Sequence, residues 1–346
     1  MPEVRVRTLE RMQTSAWSEA LASSATFTAL DAWSDLVEET YGYSIHRFEA
    51  VQGDNVQGLL VLTHVRHPIL GKYLSTSPFG SYGGFAYTSI EARDALMNEA
   101  RKLSDELGVE YCVLRFQSDE EAPAPWLQHP IYSTYLINLP SNPEDLWKRF
   151  VSKDRWKMKQ ALTKGFQIQF GQLDLLDDTY KVMSQSMHEL GSPYHSKAYL
   201  RRMAEKLGDQ LEFAIVRDEK GVLVGAAVVI YDRGVASNLH ANILRDFRTS
   251  YAGEFLYWSL LERYCKKGIQ VCDMGRSLNG SGNEVYKMKW KPDKVPLAYW
   301  YYMPKGGQIP ELNQKSAEFQ FAIRLWKFLP SFLVRALGPA LIRGIV

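Results

Sequence analysis

An internal repeat constrains this chain more than any other feature. The order strand, turn, strand, helix, strand, tryptophan, tyrosine-rich strand occurs twice, and self-similarity of this kind decides an architecture before local assignments do. In the first copy, YSIHRFEAVQGDNVQGLLVLTHV reads as two strands around a turn at Gly53-Asp54-Asn55, the second entering through Gly58. LEFAIVRDEKGVLVGAAVVIYD repeats this around Asp218 to Gly221, with Gly225 inside its second strand. Each pair leads to an amphipathic helix ending at glycine, which fits a left-handed cap. These are EARDALMNEARKLSDELG, closing at Gly108 with Leu96, Ala100, Leu103 and Leu107 on its apolar face, and AGEFLYWSLLERYCKKG, closing at Gly268 with Leu256, Leu260 and Tyr264. The strands VEYCVLRF and IQVCDMGR follow, then Trp126 or Trp290, then IYSTYLINLP or PLAYWYYMP. Trp126 to Tyr135 and Trp290 to Tyr299 are both nine residues. The pattern predicts a mixed α/β protein with related halves over 1–140 and 141–304, and a helical tail over 305–346.

With 346 residues, 46% apolar and 23% charged, two folded domains with real cores are expected. A formal charge of +2 leaves no broad basic surface for duplex DNA. Cys112, Cys265 and Cys272 lack metal-type spacing and read as buried thiols of a reducing compartment. The N-terminus has no signal-like apolar region, and no apolar run approaches the roughly 20 residues that span a bilayer. A cytoplasmic location is expected.

The stretch DMGRSLNGSGNEVYKMKW, 273–290, runs from a strand into a Gly/Ser/Asn loop and then into lysines and aromatics. Gly275, Gly280 and Gly282 allow a ligand close to the backbone, and Arg276 offers a fork of donors to a carboxylate or phosphate. A plain surface turn with Arg276 paired to Asp273 is the competing reading. In ELGSPYHSKAYLRRM, Gly191 to Pro193 end a helix, Ser196 can cap the next, and Tyr194 and His195 sit on the bend. His195 is a candidate general base, or a brace for the turn; His240 with Asn242 is the alternative base and binding pair. VSKDRWKMKQALTKG carries Lys153, Arg155, Lys157, Lys159 and Lys164, either a solvated face or a phosphate-contacting helix with Trp156 ready to stack. The tail after Glu318 has no acidic residue and mixes Arg324, Lys327, Arg335 and Arg343 with Phe, Trp, Leu and Ile. It reads either as helix packed on the body or as an interfacial helix on anionic lipid at the inner membrane.

These segments resemble a known family. The β-turn-β, helix, β order is similar to the GNAT acyltransferase core, and two tandem copies resemble the FemA/FemB-like aminoacyl transferases. DMGRSLNGSGNEVYKMKWKPDKVPLAYWYY looks like the G-R-S-x-x-G-S-G-x-x-x-F-K-x-x-W pattern of FemAB-like proteins from exopolysaccharide and PEP-CTERM/exosortase loci. ELGSPYHSKAYLRRM and the C-terminal WKFLPSFLVRALGPALIRGIV resemble further segments of theirs. The resemblance covers residues 140–346 well and the first half in outline.

It implies an acyl or aminoacyl transferase acting on an amine or hydroxyl of a cell-envelope or exopolysaccharide glycan precursor, with no bound cofactor and with aminoacyl-tRNA or acyl-CoA as donor. Lys287 then falls on the family's lysine, a cation beside the carbonyl under attack. Arg276, Ser277, Gly280, Ser281, Gly282, Tyr286, Trp290 and Lys157 become substrate contacts, with Tyr194 and Asn242 beside them. Lys291 stands where the family has glycine. The acetyl-CoA cradle (Q/R)-x-x-G-x-(G/A) is matched only by Arg248-Thr-Ser-Tyr251-Ala-Gly253, with Tyr251 in place of the first glycine, which counts against ordinary acetyl-CoA use. A reading from a different class is a non-catalytic component of polysaccharide assembly that binds a glycan or lipid-linked sugar.

Overall fold

The computed structural model describes residues 3–68, 70–310 and 317–345, so residues 311–316 and 346 of the expected tail lie outside the described residues. The chain divides into two compact units: Met1–Ser133 with Val295–Glu311 and Arg343–Val346, and Thr134–Lys294 with Leu312–Ile342.

The first unit begins with β1 (Val4–Leu9), the short helix α1 (Glu19–Ser24) and α2 (Asp31–Tyr41). The predicted hairpin follows as β2 (Ser44–Gln52) and β3 (Asn55–His67), turning at Gly53 with φ 61°. Then come β4 (Gly71–Ser75), β5 (Phe85–Tyr87), α3 (Ile90–Leu107), β6 (Tyr111–Gln117) and β7 (Leu127–Gln128). Helix α3 starts where the Ser89 hydroxyl accepts from the Ala92 N–H and stops at Gly108 in the left-handed region. It buries Leu96 and Ala100, with Leu103 and Leu107 half-buried. Strands β4, before β5 and α3, and β6, after α3, pair in parallel.

The second unit opens with β8 (Tyr132–Asn138), α4 (Pro143–Arg149), α5 (Ser152–Leu162) and β9 (Gln167–Gly171). Helices α6 (Leu176–Leu190) and α7 (Lys197–Leu207) lead into β10 (Leu211–Arg217), β11 (Leu223–Asp232) and β12 (Val235–Ile243). After α8 (Ala252–Lys266) come β13 (Val271–Asp273), β14 (Ser277–Leu278) and α9 (Gly282–Met288). Then follow β15 (Asp293–Tyr302), which from Val295 belongs to the first unit, and the second unit's tail helices α10 (Ala317–Phe328) and α11 (Ser331–Ile342). Here too the strands flanking the central helix, β12 and β13, pair in parallel. Helix α8 was expected to be amphipathic. It instead buries Phe255, Leu256, Tyr257, Trp258, Leu260, Leu261 and Tyr264, because α4 and α5 cover the side away from the sheet.

The final strand of each repeat completes the sheet of the other unit. Strand order in the first unit is β1-β2-β3-β4-β6-β15, and in the second β8-β13-β12-β11-β10-β9. From Leu297 onward β15 pairs antiparallel with β6, and Trp300 packs edge-on against Phe116 at 4.8 Å. Burying an aromatic of this size stabilises by roughly 1.5–3 kcal/mol. Strand β8 pairs antiparallel with β13 in the same way. The compact units therefore do not follow a division of the chain at residue 140.

Candidate active site

The site is built where two parallel strands part. Pairing between β12 and β13 covers only Val235–Ser237 against Val271–Asp273. Beyond Ser237, β12 continues to Ile243 on β11, while β13 gives way to Met274, Gly275 and Arg276. Ligands of α/β sheets bind at the carboxyl ends of such strands.

Lys287, on α9, is buried, and its Nζ donates to the carbonyl oxygens of Gly275 at 2.6 Å and Arg276 at 2.9 Å. It stands 5.3 Å over the Tyr135 ring. An ammonium has three donors, so one remains for a ligand oxygen. Burial pulls its pKa down to about 8, helped by the charge of Arg276 and opposed by Asp273. Asp273 is itself held in place, its Oδ1 accepting from the Thr134 hydroxyl at 2.6 Å and from the Gly275 N–H at 2.8 Å. The loop is shaped by Gly280 at φ 77° and by Ser281, whose hydroxyl caps α9 by accepting from Glu284 N–H. Glu284 accepts from the Gly280 N–H and pairs with Lys294. Burial and the nearby Glu284 push the Tyr135 hydroxyl up to about 12. Gly282 begins α9 with open space where a Cβ would stand. Ser277 is buried, and its hydroxyl has no hydrogen-bond partner among the described residues. A buried polar atom without a partner is a reason to look for a ligand.

A second cluster lies on β12 and the bend after α6. Tyr194 meets His195 at 5.5 Å and His240 at 5.4 Å, ring to ring, while His195 stacks on Tyr199 at 4.0 Å. Burial, with a contribution from His240, lowers the His195 pKa well below the imidazole range, and burial lowers that of His240 to about 4. His195 is enclosed, whereas part of His240 reaches solvent. Of the two candidate bases, His240 is thus the accessible one. The buried Tyr194 hydroxyl has no hydrogen-bond partner among the described residues. Asn242 donates to the Ser186 hydroxyl at 2.8 Å, so its amide braces α6 against β12. Ser196 caps α7 as the sequence predicts.

The aromatic residues form a wall at the start of α8. Tyr257 meets Tyr286 and Trp290 at 5.5 Å each, and Trp290 is buried. The Tyr286 hydroxyl lies so near Gly253 that a Cβ there would meet it at 3.0 Å. Lys157 lines a small crevice with Asp154, Glu254, Tyr286, Lys289 and Trp290. Trp156 is half exposed and packs edge-on to Tyr251 at 6.0 Å. Both residues that replace glycine in the resemblance keep a left-handed backbone: Tyr251 at φ 65° and Lys291 at φ 56°.

Sequence reading missed Thr134, Tyr135 and Glu284, which became visible only through tertiary contact, and it named Asp273 only as a partner for Arg276, not as the acceptor for Thr134 and Gly275.

Residues 148–288 match the sequence profile of the acetyltransferase (GNAT) domain, an interval that includes Lys287. No curated protein sequence matches the chain. Among solved structures, FemX is similar at a TM-score of 0.66 and 12% identity, over 86% of this chain and 97% of FemX. A tandem GNAT protein from the clavulanic acid biosynthesis pathway gives 0.57 and 11%, over 88% and 100%. L-PGS from Bacillus licheniformis gives 0.52 and 13%, over 79% and 87%. Such identities carry the fold. The chain has a mixed α/β tandem GNAT fold with C-terminal helices, and its second unit carries an acyltransferase-type domain.

Proposed function

We propose that the protein transfers an acyl or aminoacyl group from an activated ester or thioester to an amine, or a hydroxyl, of a glycan precursor. The observation that carries this reading is Lys287, a buried ammonium with one free donor at the parting of β12 and β13. Attack by the acceptor nitrogen on the donor carbonyl forms the C–N bond and places negative charge on the carbonyl oxygen. The third N–H of Lys287 stabilises that oxyanion in a site shielded from water. Collapse breaks the bond to the leaving oxygen or sulfur, which takes up a proton. The proton of the attacking nitrogen, made acidic in the tetrahedral adduct, passes to neutral His240. Arg276, Ser277 and the loop Gly280–Gly282 hold an acidic part of a substrate, with Tyr194 as a further donor and Lys157 at the α5 side.

For the donor, Tyr251 and the Tyr286 hydroxyl crowd the first turn of α8, where a CoA pyrophosphate would need open backbone. This supports aminoacyl-tRNA over free acyl-CoA.

The test is a thermal-melt series with acetyl-CoA, longer acyl-CoAs and charged tRNA, followed by transfer of a labelled acyl group to amino-sugar acceptors. A midpoint raised by charged tRNA alone, with transfer lost in Lys287→Met, supports the reading. A rise with acyl-CoA alone sinks the tRNA donor. Acceptor binding without any transfer would make the protein a non-catalytic binding component.

A further inference from the structure

The last two helices turn an apolar, cationic face outward. Helices α10 and α11 rest on α6 and on the bend that follows it. Trp326 Nε1 donates to the Ser192 carbonyl at 3.2 Å, His188 Nε2 meets the Trp326 carbonyl at 3.1 Å, and Val334 is buried. Gly338 lies on the backbone of Tyr194, where a Cβ would sit 3.0 Å from the carbonyl oxygen. Ile323, Leu329 and Leu333 are half-buried, whereas a set of large apolar side chains is exposed: Phe321 at 67%, Leu325 at 54%, Phe328 at 85% and Phe332 at 70%. Phe321, Leu325 and Phe328 follow the i, i+4, i+7 spacing of one helix stripe, and Phe332 lies in the first turn of α11. Scattered exposed apolar residues mean little, whereas a contiguous row marks an interaction surface.

Charge says what kind of surface it meets. Arg324, Lys327, Arg245 and His188 line a cavity of about 450 Å³ bordered by Phe328. Its acidic residue, Glu189, already accepts from the Arg245 N–H at 2.9 Å and pairs with Arg248. Neither Arg324 nor Lys327 has an ion-pair partner among the described residues. No Asp or Glu follows Glu318 in the sequence.

We propose that α10 and α11 dock in the plane of an anionic phospholipid bilayer. Phe321, Leu325, Phe328 and Phe332 enter the boundary between headgroups and acyl chains, while Arg324, Lys327 and Arg245 meet lipid phosphates. Among the described residues no helix is long and apolar enough to cross a membrane, so the contact lies along the surface. This inference stands independently of the transfer chemistry. Because Gly338 seats on Tyr194, docking would bring lipid to the bend that carries the second cluster of the candidate site.

The experiment is co-sedimentation of the purified full chain with vesicles of phosphatidylcholine alone, or with about a third phosphatidylglycerol. Binding is expected only to the anionic vesicles, weakening as salt is raised from roughly 0.05 to 0.5 M. Phe328→Glu with Phe332→Glu should lower partition roughly a hundredfold at an unchanged thermal midpoint, since both rings are exposed. Should that variant lose its fold, Phe328→Ser with Arg324→Gln makes the same test. Equal binding to neutral vesicles, no binding to either, or release by inorganic phosphate at constant ionic strength would overturn the proposal. So would a concentration-dependent dimer abolished by the phenylalanine substitutions, which would assign the face to a second copy of the chain.

Discussion

The Lys287 ammonium donates to the Gly275 carbonyl at 2.6 Å, tying the short helix α9 to the end of β13 across twelve residues of chain. Structure and chemistry thus share one side chain, and a substitution there should separate them. In Lys287→Met, relief of the buried charge is worth about 3 kcal/mol at neutral pH, taking the fall of its pKa from 10.5 to about 8. Two carbonyls lose a donor, which costs about 1–3 kcal/mol each and offsets the gain. The expected result is a melting midpoint within a few degrees of wild type and a transfer rate lower by roughly a hundredfold or more. A rate that survives would remove Lys287 from the chemistry.

Activity and stability should move in opposite directions with pH. Lys287 in the folded protein gives up its proton near pH 8, while the unfolded chain holds it up to about 10.5. Transfer therefore declines as pH rises through about 8. Folding is penalised below that pH, and the penalty fades between about 8 and 10.5 because the unfolded state binds more protons there. Rate profiles and thermal midpoints between pH 7 and 10 check both limbs.

Asp273→Asn should shift that profile. The carboxylate opposes the fall of the Lys287 pKa, and asparagine retains an oxygen to accept from Thr134 and Gly275. The rate decline is expected about one pH unit lower. An unmoved profile would mean that another group controls it.

Lys291→Gly tests the strained turn. Lys291 holds φ 56°, a conformation that costs a side-chain-bearing residue about 1–2 kcal/mol, while glycine gives back roughly 0.5–1 kcal/mol through its freer unfolded state. A net gain of about 0.5–1 kcal/mol in denaturant unfolding is expected, with transfer retained.

Glu212 anchors β10 to α8. Although burial opposes its ionisation, hydrogen bonds from Arg263 and Tyr231 and the charge of Lys267 hold its pKa below the usual carboxylate range. Its contribution is present above the unfolded pKa near 4.5 and is lost as pH falls through the lower folded value. Glu212→Gln leaves Arg263 with a weaker partner and should cost about 2–3 kcal/mol at pH 7. It should also flatten the acid limb of the stability curve; an unchanged limb would refute the assignment.

What the sequence made legible was local. The turn at Gly53, the cap at Ser196 and the stops at Gly108 and Gly191 each depend on residues a few positions apart. Lys287 could be singled out as a candidate because its loop and its aromatic neighbours are contiguous in sequence. Thr134, which fixes Asp273 from 139 residues away, left no local trace. Nor did the meeting of Tyr194 with His240, which depends on how the bend after α6 lies against β12. At Tyr251 and Lys291 the missing glycine did not remove the turn: both residues hold the left-handed backbone that glycine would adopt freely. Only packing shows which of the α5 lysines stay in solvent, Lys153 and Lys159, and that Lys157 lines the crevice.

The exchanged strands reverse the order in which the protein can mature. A domain at the start of a chain ordinarily folds as it leaves the ribosome. Here the first unit lacks β15 until Tyr302 has been synthesised. It then still awaits the carbonyls of Arg343 and Gly344, which accept from the hydroxyls of Tyr43 and Tyr73 across 300 and 271 residues. The first unit is therefore finished only after most of the second has been made, and β6 stays an open edge until β15 pairs with it.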